Sequence, residues 1–81
     1  MNNPFLETMV MRQTFAQPWA NNLRNQRTKL GWTQKMLAER LGVSITSIVN
    51  WENGHSIPSM PTFYHLCVTI HLSPNDLLGW E

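Results

Sequence analysis

Three glycines divide the middle of the chain into short segments, and this division constrains the fold more than any other feature of the sequence. Gly31, Gly42 and Gly54 each follow a run in which apolar residues recur near helical spacing. A glycine just beyond the last helical residue readily adopts the left-handed conformation that ends a helix. Thr33 and Ser44 come two residues after Gly31 and Gly42, where a hydroxyl side chain can cap the next helix. The pattern predicts successive short helices joined by tight turns.

The segment before Gly31 predicts the first of these helices. Pro18 suits a first helical position, and Trp19, Leu23 and Leu30 follow near helical spacing. The second and third helices follow the caps described above, and only residues 42–44 separate them. Two short helices joined by such a turn form a helix-turn-helix, a motif whose second helix can enter the major groove of DNA.

Two more helices are predicted after Gly54. Pro58 and Pro61 predict an extended connection into a fourth helix. The apolar residues of this helix lie at positions i, i+3, i+4 and i+7: Phe63, Leu66, Cys67 and Ile70. Ser73, Pro74 and Asp76 then match the cap, first position and acidic first turn of a short fifth helix. No segment alternates with period two for long enough to form a strand, so the sequence predicts an all-α fold of five helices.

Length and composition limit the classes of protein to which this chain can belong. Eighty-one residues, 42% of them hydrophobic and 14% charged, suit one small folded domain rather than a disordered chain. No apolar run approaches the roughly 18 residues of a membrane-spanning helix, and the first residues lack the pattern of a secretory signal peptide. A single cysteine, Cys67, forms no internal disulfide and supplies no metal cluster. We expect a cytoplasmic protein without membrane association, metal ion or cofactor.

The expected division of the chain is a domain over residues 18–81 preceded by an extension over residues 1–17. The extension has four apolar residues whose spacing is compatible with one or two turns of helix: Phe5, Leu6, Met9 and Val10. Pro4 and the absence of a good cap do not favour a helix over an arm. Both alternatives, an extra short helix and an N-terminal arm, stay open.

The charges are unevenly distributed. Residues 21–53 contain five basic residues against two acidic ones, a net charge of 5 − 2 = +3, whereas residues 54–81 contain Asp76 and Glu81 and no Lys or Arg. The five basic residues are Arg24, Arg27, Lys29, Lys35 and Arg40. This asymmetry is compatible with an anionic partner on the middle segment, or with ordinary solvated helix faces.

Residues 33–54, TQKMLAERLGVSITSIVNWENG, resemble a known family closely. The features that match are Gln after the cap, Leu-Ala in mid-helix, Leu-Gly-Val-Ser at the turn, and Ile-x-x-Trp-Glu-x-Gly at the end. The segment is similar to the helix-turn-helix of the XRE family, the Cro and phage-repressor-like regulators, and the resemblance extends over about residues 19–79. It implies a five-helix, lambda-repressor-like DNA-binding domain. The sequence departs from the family pattern at Cys67, where Ala is usual, and at His71, where Gly is common.

The resemblance and the chemistry of helix ends together indicate contacts to DNA phosphates. Gln34 lies at the N-terminal end of the second helix, where backbone N–H groups and the helix dipole favour an anion, and in the family this Gln holds the DNA backbone. The loop after Gly54 lies along the backbone in the family. The predicted phosphate contacts are Gln34, Lys35, Arg27, Asn53, His55 and Ser56. The alternative for Gln34 is an ordinary solvent-exposed polar residue.

The third helix is expected to read the bases. If Ile48 and Trp51 face the core, then Ile45 and Val49 lie on the outside, where the methyl group of thymine would give an apolar side chain a partner. The predicted base contacts are Ser44, Ile45, Thr46, Val49 and Asn50, with Asn50 able to form a bidentate pair with adenine. The alternative is that Ile45 and Val49 belong to the core.

Arg27 falls on the apolar stripe of the first helix, between Leu23 and Leu30, where an unpaired guanidinium would be costly. The family commonly pairs an Arg of the first helix with the Glu that occupies position 52 here. We therefore expect Arg27 and Glu52 to form a structural, partly buried ion pair that holds the first helix against the third.

These features predict a transcriptional regulator that binds double-stranded operator DNA, most simply as a repressor and a homodimer, through its third helix. The apolar end from Leu78 to Trp80 is the expected dimer surface, and the extension around Phe5 is its alternative. The rival function is an antitoxin-type interaction module that neutralises a partner protein, with DNA binding secondary. Catalysis is not expected, because the sequence has no paired acids, Cys-His pair or phosphate loop. A phage, mobile-element, restriction-control or antitoxin setting would fit equally.

Overall fold

The computed structural model describes residues 18–79, which form five helices. Helix α1 is described from residue 18 to residue 29, and it is followed by α2 (Gln34–Leu41), α3 (Ile45–Glu52), α4 (Met60–Thr69) and α5 (Pro74–Leu78). These residues contain no strand, which confirms the predicted all-α, five-helix fold. No helix among them is long and apolar enough to cross a membrane. The predicted extension over residues 1–17, with Phe5, Leu6, Met9 and Val10, lies outside the described residues, as does Trp80.

The helices begin at the hydroxyl side chains that the sequence predicts as caps. The Thr33 hydroxyl accepts the backbone N–H of Met36, and the Ser44 hydroxyl accepts that of Ser47, each at 3.1 Å. Ser73 caps α5 through the N–H of Asp76 in the same way. Each of these bonds satisfies a donor that the first turn of a helix cannot pair with itself.

The first four helices end in one recurring turn. A residue with positive φ follows the helix, and the amide after it donates back to a carbonyl five residues earlier, which closes a Schellman motif. These returning amides belong to Trp32, Val43, His55 and Leu72, with N···O distances of 2.9–3.1 Å. In three of the motifs the positive-φ residue is the predicted glycine; after α4 it is His71, with φ of 57°. The His71 side chain therefore occupies a backbone conformation that glycine adopts at lower cost.

The start of α4 differs from the sequence prediction. Pro61 was expected in the extended connection together with Pro58, but α4 begins at Met60, and Pro61 stands in its first turn. Proline is accepted there because the first turn leaves its N–H groups without helical partners. Ser59 is the residue before the helix, and its hydroxyl donates to Thr62 Oγ1 rather than accepting a backbone N–H.

Every helix contributes an aliphatic side chain with no exposed surface to the single core. These residues are Leu23, Leu37, Ile48, Leu66, Ile70 and Leu77. Trp19 packs near Phe63, with ring centroids 6.1 Å apart, which joins α1 to α4. Cys67 is also buried, and burial raises the pKa of its thiol, so it packs in the core as a protonated, weakly polar group.

The left-handed conformation of His71 predicts a stabilising substitution. His71→Gly should raise the free energy of unfolding by about 0.5–1 kcal/mol, because relief of the left-handed strain exceeds the extra entropy that glycine gives the unfolded chain. Chemical denaturation of both proteins measures the difference. Gly42→Ala is the matched control: a Cβ at Gly42 meets nothing within 4 Å, so its effect is the cost of the positive φ minus the unfolded-state entropy that alanine removes, without a steric clash. Destabilisation by His71→Gly would contradict this account.

Candidate nucleic-acid interface

Helices α2 and α3 form the predicted helix-turn-helix. Helix α2 ends at Leu41 and α3 begins at Ile45, so three residues connect them. The helices pack together through buried side chains of one core, with Ala38 among them at 2% exposure. A small residue at this position lets the two helices approach closely, as the sequence suggested. The motif is thus a rigid part of the core, and the outer face of α3 is presented to solvent.

The outer face of α3 carries the residues predicted to contact bases. Ile45 has 45% of its surface exposed and Thr46 is exposed, whereas Val49 and Asn50 are half-buried. Ile48, on the inner face, has no exposed surface. The alternative that Ile45 belongs to the core is therefore excluded, and an exposed β-branched residue lies at the first position of α3.

The Ser44 hydroxyl forms more hydrogen bonds within the protein than the sequence suggested. Its hydroxyl accepts the N–H of Ser47 as the cap of α3, and it lies 2.9 Å from the Ser47 hydroxyl. A hydroxyl has one proton and two acceptor lone pairs, so these two contacts leave Ser44 a single further hydrogen bond. Among the polar side chains predicted to contact bases, Ser44 therefore has the fewest hydrogen bonds left for DNA.

Arg27 and Glu52 form a bidentate ion pair. Arg27 Nε donates to Glu52 Oε2 at 2.6 Å and Arg27 Nη2 donates to Glu52 Oε1 at 2.9 Å, while Arg27 Nη1 donates to the Trp32 carbonyl at 2.7 Å. The Glu52 side chain is fully buried and that of Arg27 is 14% exposed. The hydrogen bond to Glu52 raises the pKa of Arg27, and burial opposes it with a smaller effect. The guanidinium therefore stays charged in a site that excludes most water.

Two further side chains that the sequence did not connect with Glu52 also reach it. Arg24 Nη2 donates to the Glu52 carbonyl at 3.0 Å, and Arg24 Nε lies 3.6 Å from Glu52 Oε1. Gln34 Nε2 donates to Glu52 Oε1 at 3.2 Å. Arg24 was interpreted as an ordinary solvated charge; its spacing of three residues from Arg27, which puts both on one side of α1, was the available signal. Glu52 thus joins α1, α2 and α3.

The residues predicted to contact phosphates have different capacities for a ligand. Gln34 keeps one amide N–H after its bond to Glu52, and Lys35 beside it is exposed. Three of the five guanidinium N–H donors of Arg27 already form hydrogen bonds within the protein. Gln34 and Lys35 also open α2, where an α-helix gives the backbone N–H groups no internal partner. The start of α2 therefore combines amide donors with an exposed cation.

The loop after α3 carries the other three predicted phosphate contacts. Asn53, His55 and Ser56 are all exposed. The Asn53 side-chain oxygen accepts a bond from Arg24 Nη2 at 3.5 Å, which ties the beginning of the loop to α1. No three His, Cys, Asp or Glu side chains within residues 18–79 are grouped to hold a metal ion.

Arg40 makes a contact that the sequence did not predict. Its guanidinium carbon lies 4.3 Å from the centroid of the Trp32 ring, a cation–π arrangement between α2 and the turn after α1. Arg40 was interpreted as a solvated charge, and no spacing rule links it to Trp32. The contact holds the Arg40 guanidinium over the Trp32 ring, whereas Lys35 on the same helix is exposed.

The Glu52 network predicts strong coupling between its members. Glu52→Ala should lower the free energy of unfolding by about 3 kcal/mol, because Arg27 would be left partly buried without a counter-charge. The double variant Arg27→Met with Glu52→Leu should recover much of this loss, since neither charge would remain. Urea denaturation of the matched single variants Arg27→Met and Glu52→Leu and of the double variant measures the coupling. Strictly additive losses would show that the two residues do not stabilise each other.

Comparisons with known proteins agree with this geometry. Residues 23–77 match the model of the family HTH_3, described as helix-turn-helix. The chain is 32% identical over 57 residues to the transcriptional repressor RstR of the cryptic phage CTXphi from Vibrio cholerae, an alignment that covers 70% of this chain and 51% of RstR. It is 35% identical over 54 residues to the antitoxin HipB of Escherichia coli, with 67% of this chain and 57% of HipB covered. This chain thus spans a little over half the length of these relatives.

A solved structure supports the fold. The restriction-modification controller protein C.AhdI from Aeromonas hydrophila superposes with a TM-score of 0.71 at 24% sequence identity, and the match covers 76% of this chain and 94% of C.AhdI. At this identity the similarity concerns the fold alone. The fold of about three quarters of this chain is therefore shared with nearly the whole of that controller protein.

Proposed function

Because this chain belongs to the helix-turn-helix family HTH_3, as its resemblance to the XRE regulators predicted, we propose that it is a sequence-specific DNA-binding transcriptional regulator. The observation that carries the proposal is the outer face of α3, where Ile45 is exposed while Ile48 on the inner face is fully buried. A helix held in this way by its core can lie in the major groove with its first residues against the base edges. The role is binding, without catalysis.

The proposed base contacts follow from the side chains on that face. Ile45 and the half-buried Val49 would contact thymine methyl groups, and Asn50 would pair with adenine. Thr46 has a hydroxyl and a methyl group, so it suits either kind of contact. Ser44 would contribute the one hydrogen bond that the cap leaves to it.

The proposed phosphate contacts lie at the start of α2 and in the loop after α3. Gln34 and Lys35 would bind one phosphate together with the backbone amides of the helix end. Asn53, His55 and Ser56 would contact the backbone on the other side of α3, and Arg27 would contribute through its remaining N–H bonds. Helix α3 itself has no Lys or Arg. Its orientation on DNA would therefore depend on these flanking groups.

We also propose that the protein represses transcription in the cytoplasm as a homodimer. One copy presents one α3, and regulators of this kind read two half-sites about 34–36 Å apart through a two-fold axis. The relative RstR is a transcriptional repressor, which supports this direction of regulation. Selection of bound sequences from random DNA tests the proposal: enrichment of an inverted repeat is expected, and recovery of no sequence would overturn it.

A second candidate function is that of an antitoxin that neutralises a partner protein. It is favoured by the 35% identity to the antitoxin HipB. Purification of the chain from its own cells distinguishes the two functions. A stoichiometric second protein would support the antitoxin role, and a chain that binds operator DNA but copurifies with no protein would support the regulator.

The exposure of Ile45 predicts that truncating this side chain weakens DNA binding without lowering the stability of the fold. Ile45→Ala should leave the melting temperature nearly unchanged but weaken operator binding by about 1–3 kcal/mol and relax preference at one base pair of each half-site. Ile48→Ala, truncating a fully buried side chain, should instead cost roughly 2–5 kcal/mol of folding stability. Melting curves and titrations with specific and random duplexes measure both effects. Equal losses of stability in the two variants would refute the orientation of α3.

The exposed position of Lys35 predicts that this residue contributes to the salt dependence of DNA binding. Affinity for operator and random DNA should fall as salt rises, because phosphate contacts release counterions. Lys35→Ala should weaken both kinds of binding to a similar degree and reduce the slope of log affinity against log salt by about 1 for each bound copy. Titrations over a range of KCl concentrations measure the slope. An unchanged slope would show that Lys35 does not contact a phosphate.

A further inference from the structure

Helix α4 has an exposed apolar face as well as the face that packs in the core. Met60, Tyr64 and Val68 follow one another at intervals of four residues, so they lie in a row along one side of the helix. Their exposed fractions are 78%, 69% and 56%, and Ile57, in the loop just before α4, is 73% exposed. We name these four residues the α4 stripe. They are four of the five large apolar side chains that are exposed within residues 18–79; the fifth is Ile45.

The described part of the expected dimer surface at the end of the chain does not have this exposure. Leu77 is fully buried, and Leu78 is half-buried because it packs against the core. Trp80 lies outside the described residues. Within the described residues, an apolar surface without a partner is therefore found on α4 rather than on α5.

We propose that the α4 stripe is the surface through which two copies of this chain form a symmetric dimer. The inference rests on the proposed function, which requires a second copy, and it names the surface that the two copies share. In a two-fold contact the same residues face one another, and Tyr64, in the middle of the row, would lie nearest the axis.

The size of the α4 stripe suits such a contact. Four side chains exposed to this degree present on the order of 600 Å² of surface, at the upper end of the largest apolar patch of a typical monomer. Two copies would together bury about 1,200 Å², the lower end of the range for specific protein interfaces. The stripe is therefore large enough for a reversible dimer, whereas the half-buried Leu78 alone would not be.

Charge favours a second copy over a charged partner. Residues 57–71 contain no Asp, Glu, Lys or Arg, so α4 and the loop before it contribute no formal charge that would attract an ionic ligand or repel a second copy. The stripe also begins at Ile57, next to His55 and Ser56 in the loop proposed to contact DNA. In a two-fold contact centred on Tyr64 the two stripes would run antiparallel, with the Ile57 end of each copy beside the Val68 end of the other.

Sedimentation equilibrium of the full chain without DNA tests the inference. We expect a dimer for the unaltered protein, and a dissociation constant at least about a hundredfold higher for Val68→Glu, because pairing would bury a carboxylate without a partner. Asn25→Glu places the same charge on an exposed position of α1, so it is the matched control and should dimerise normally. A monomeric unaltered chain, or a Val68→Glu variant that dimerises normally, would overturn the inference.

A cross-linking experiment covers the case in which Val68→Glu does not fold, which circular dichroism would show. Tyr64→Cys in a Cys67→Ala background should form a covalent dimer under mild oxidation, since residue 64 would face its own copy. Asn25→Cys in the same background should not. Absence of a Tyr64→Cys cross-link, or equal cross-linking of both variants, would overturn the α4 interface. Loss of the dimer only when residues 1–17 are deleted would assign it to the extension instead.

DNA titrations separate failure of the inference from failure of the proposed function. Val68→Glu should retain its affinity for a single half-site within about threefold while losing at least tenfold for the inverted repeat. If the unaltered chain dimerises through α4 but binds no DNA, the proposed function fails and the surface stands. If both proteins bind the inverted repeat equally well, the surface is wrong and the proposed function stands.

Discussion

The buried carboxylate of Glu52 is the interaction on which the arrangement of the first three helices depends. It lies at the end of α3, Arg27 of α1 donates to both of its oxygens, and Gln34 of α2 donates to one of them. A carboxylate removed from water is tolerated only where donors replace the lost hydration. These donors come together only when α1, α2 and α3 occupy their present positions. A buried ion pair that adds little net stability can therefore still favour one packing of the helices over others.

The same network joins the core to the candidate DNA-binding surface. Gln34 opens α2, and Asn53, directly after Glu52, accepts a hydrogen bond from Arg24. Side chains proposed to contact phosphates are thus attached to groups that are fixed in the fold. A ligand that meets fixed donors does not have to order them, so less binding free energy is lost to side-chain entropy. This compensates for a recognition helix that has no basic residue of its own.

The uneven charge along the sequence corresponds to two different surfaces. The basic segment forms α1 to α3, whose exposed groups suit an anionic ligand. Helix α4 has no charged residue, and its outer row of Met60, Tyr64 and Val68 suits an uncharged, apolar partner. DNA binding favours a basic surface, whereas pairing of two copies favours an apolar one. A small domain that does both therefore needs two separate surfaces.

Helix boundaries were predictable from the sequence because caps and terminating turns are local. Thr33, Ser44 and Gly42 act on residues within one turn, so their effects are encoded nearby. The Arg27–Glu52 pair could be expected only from the family resemblance and the cost of a lone buried charge. The exposure of Ile45, which periodicity left open, was decided by how α3 packs.

Contacts between distant segments required the tertiary structure. The bond of Gln34 to Glu52 and the contact of Arg40 with Trp32 join residues whose spacing carries no signal, and the bond of Arg24 to Glu52 was indicated only by the position of Arg24 beside Arg27 on α1. Helix α4 has two apolar rows, and the core covers one of them and leaves the other exposed. By itself the sequence determined the caps and turns that bound α2 and α3 and the kind of motif these helices form, but not the start of α4. Only the tertiary structure decided which apolar faces and which charges are covered, because burial depends on neighbours from the whole chain.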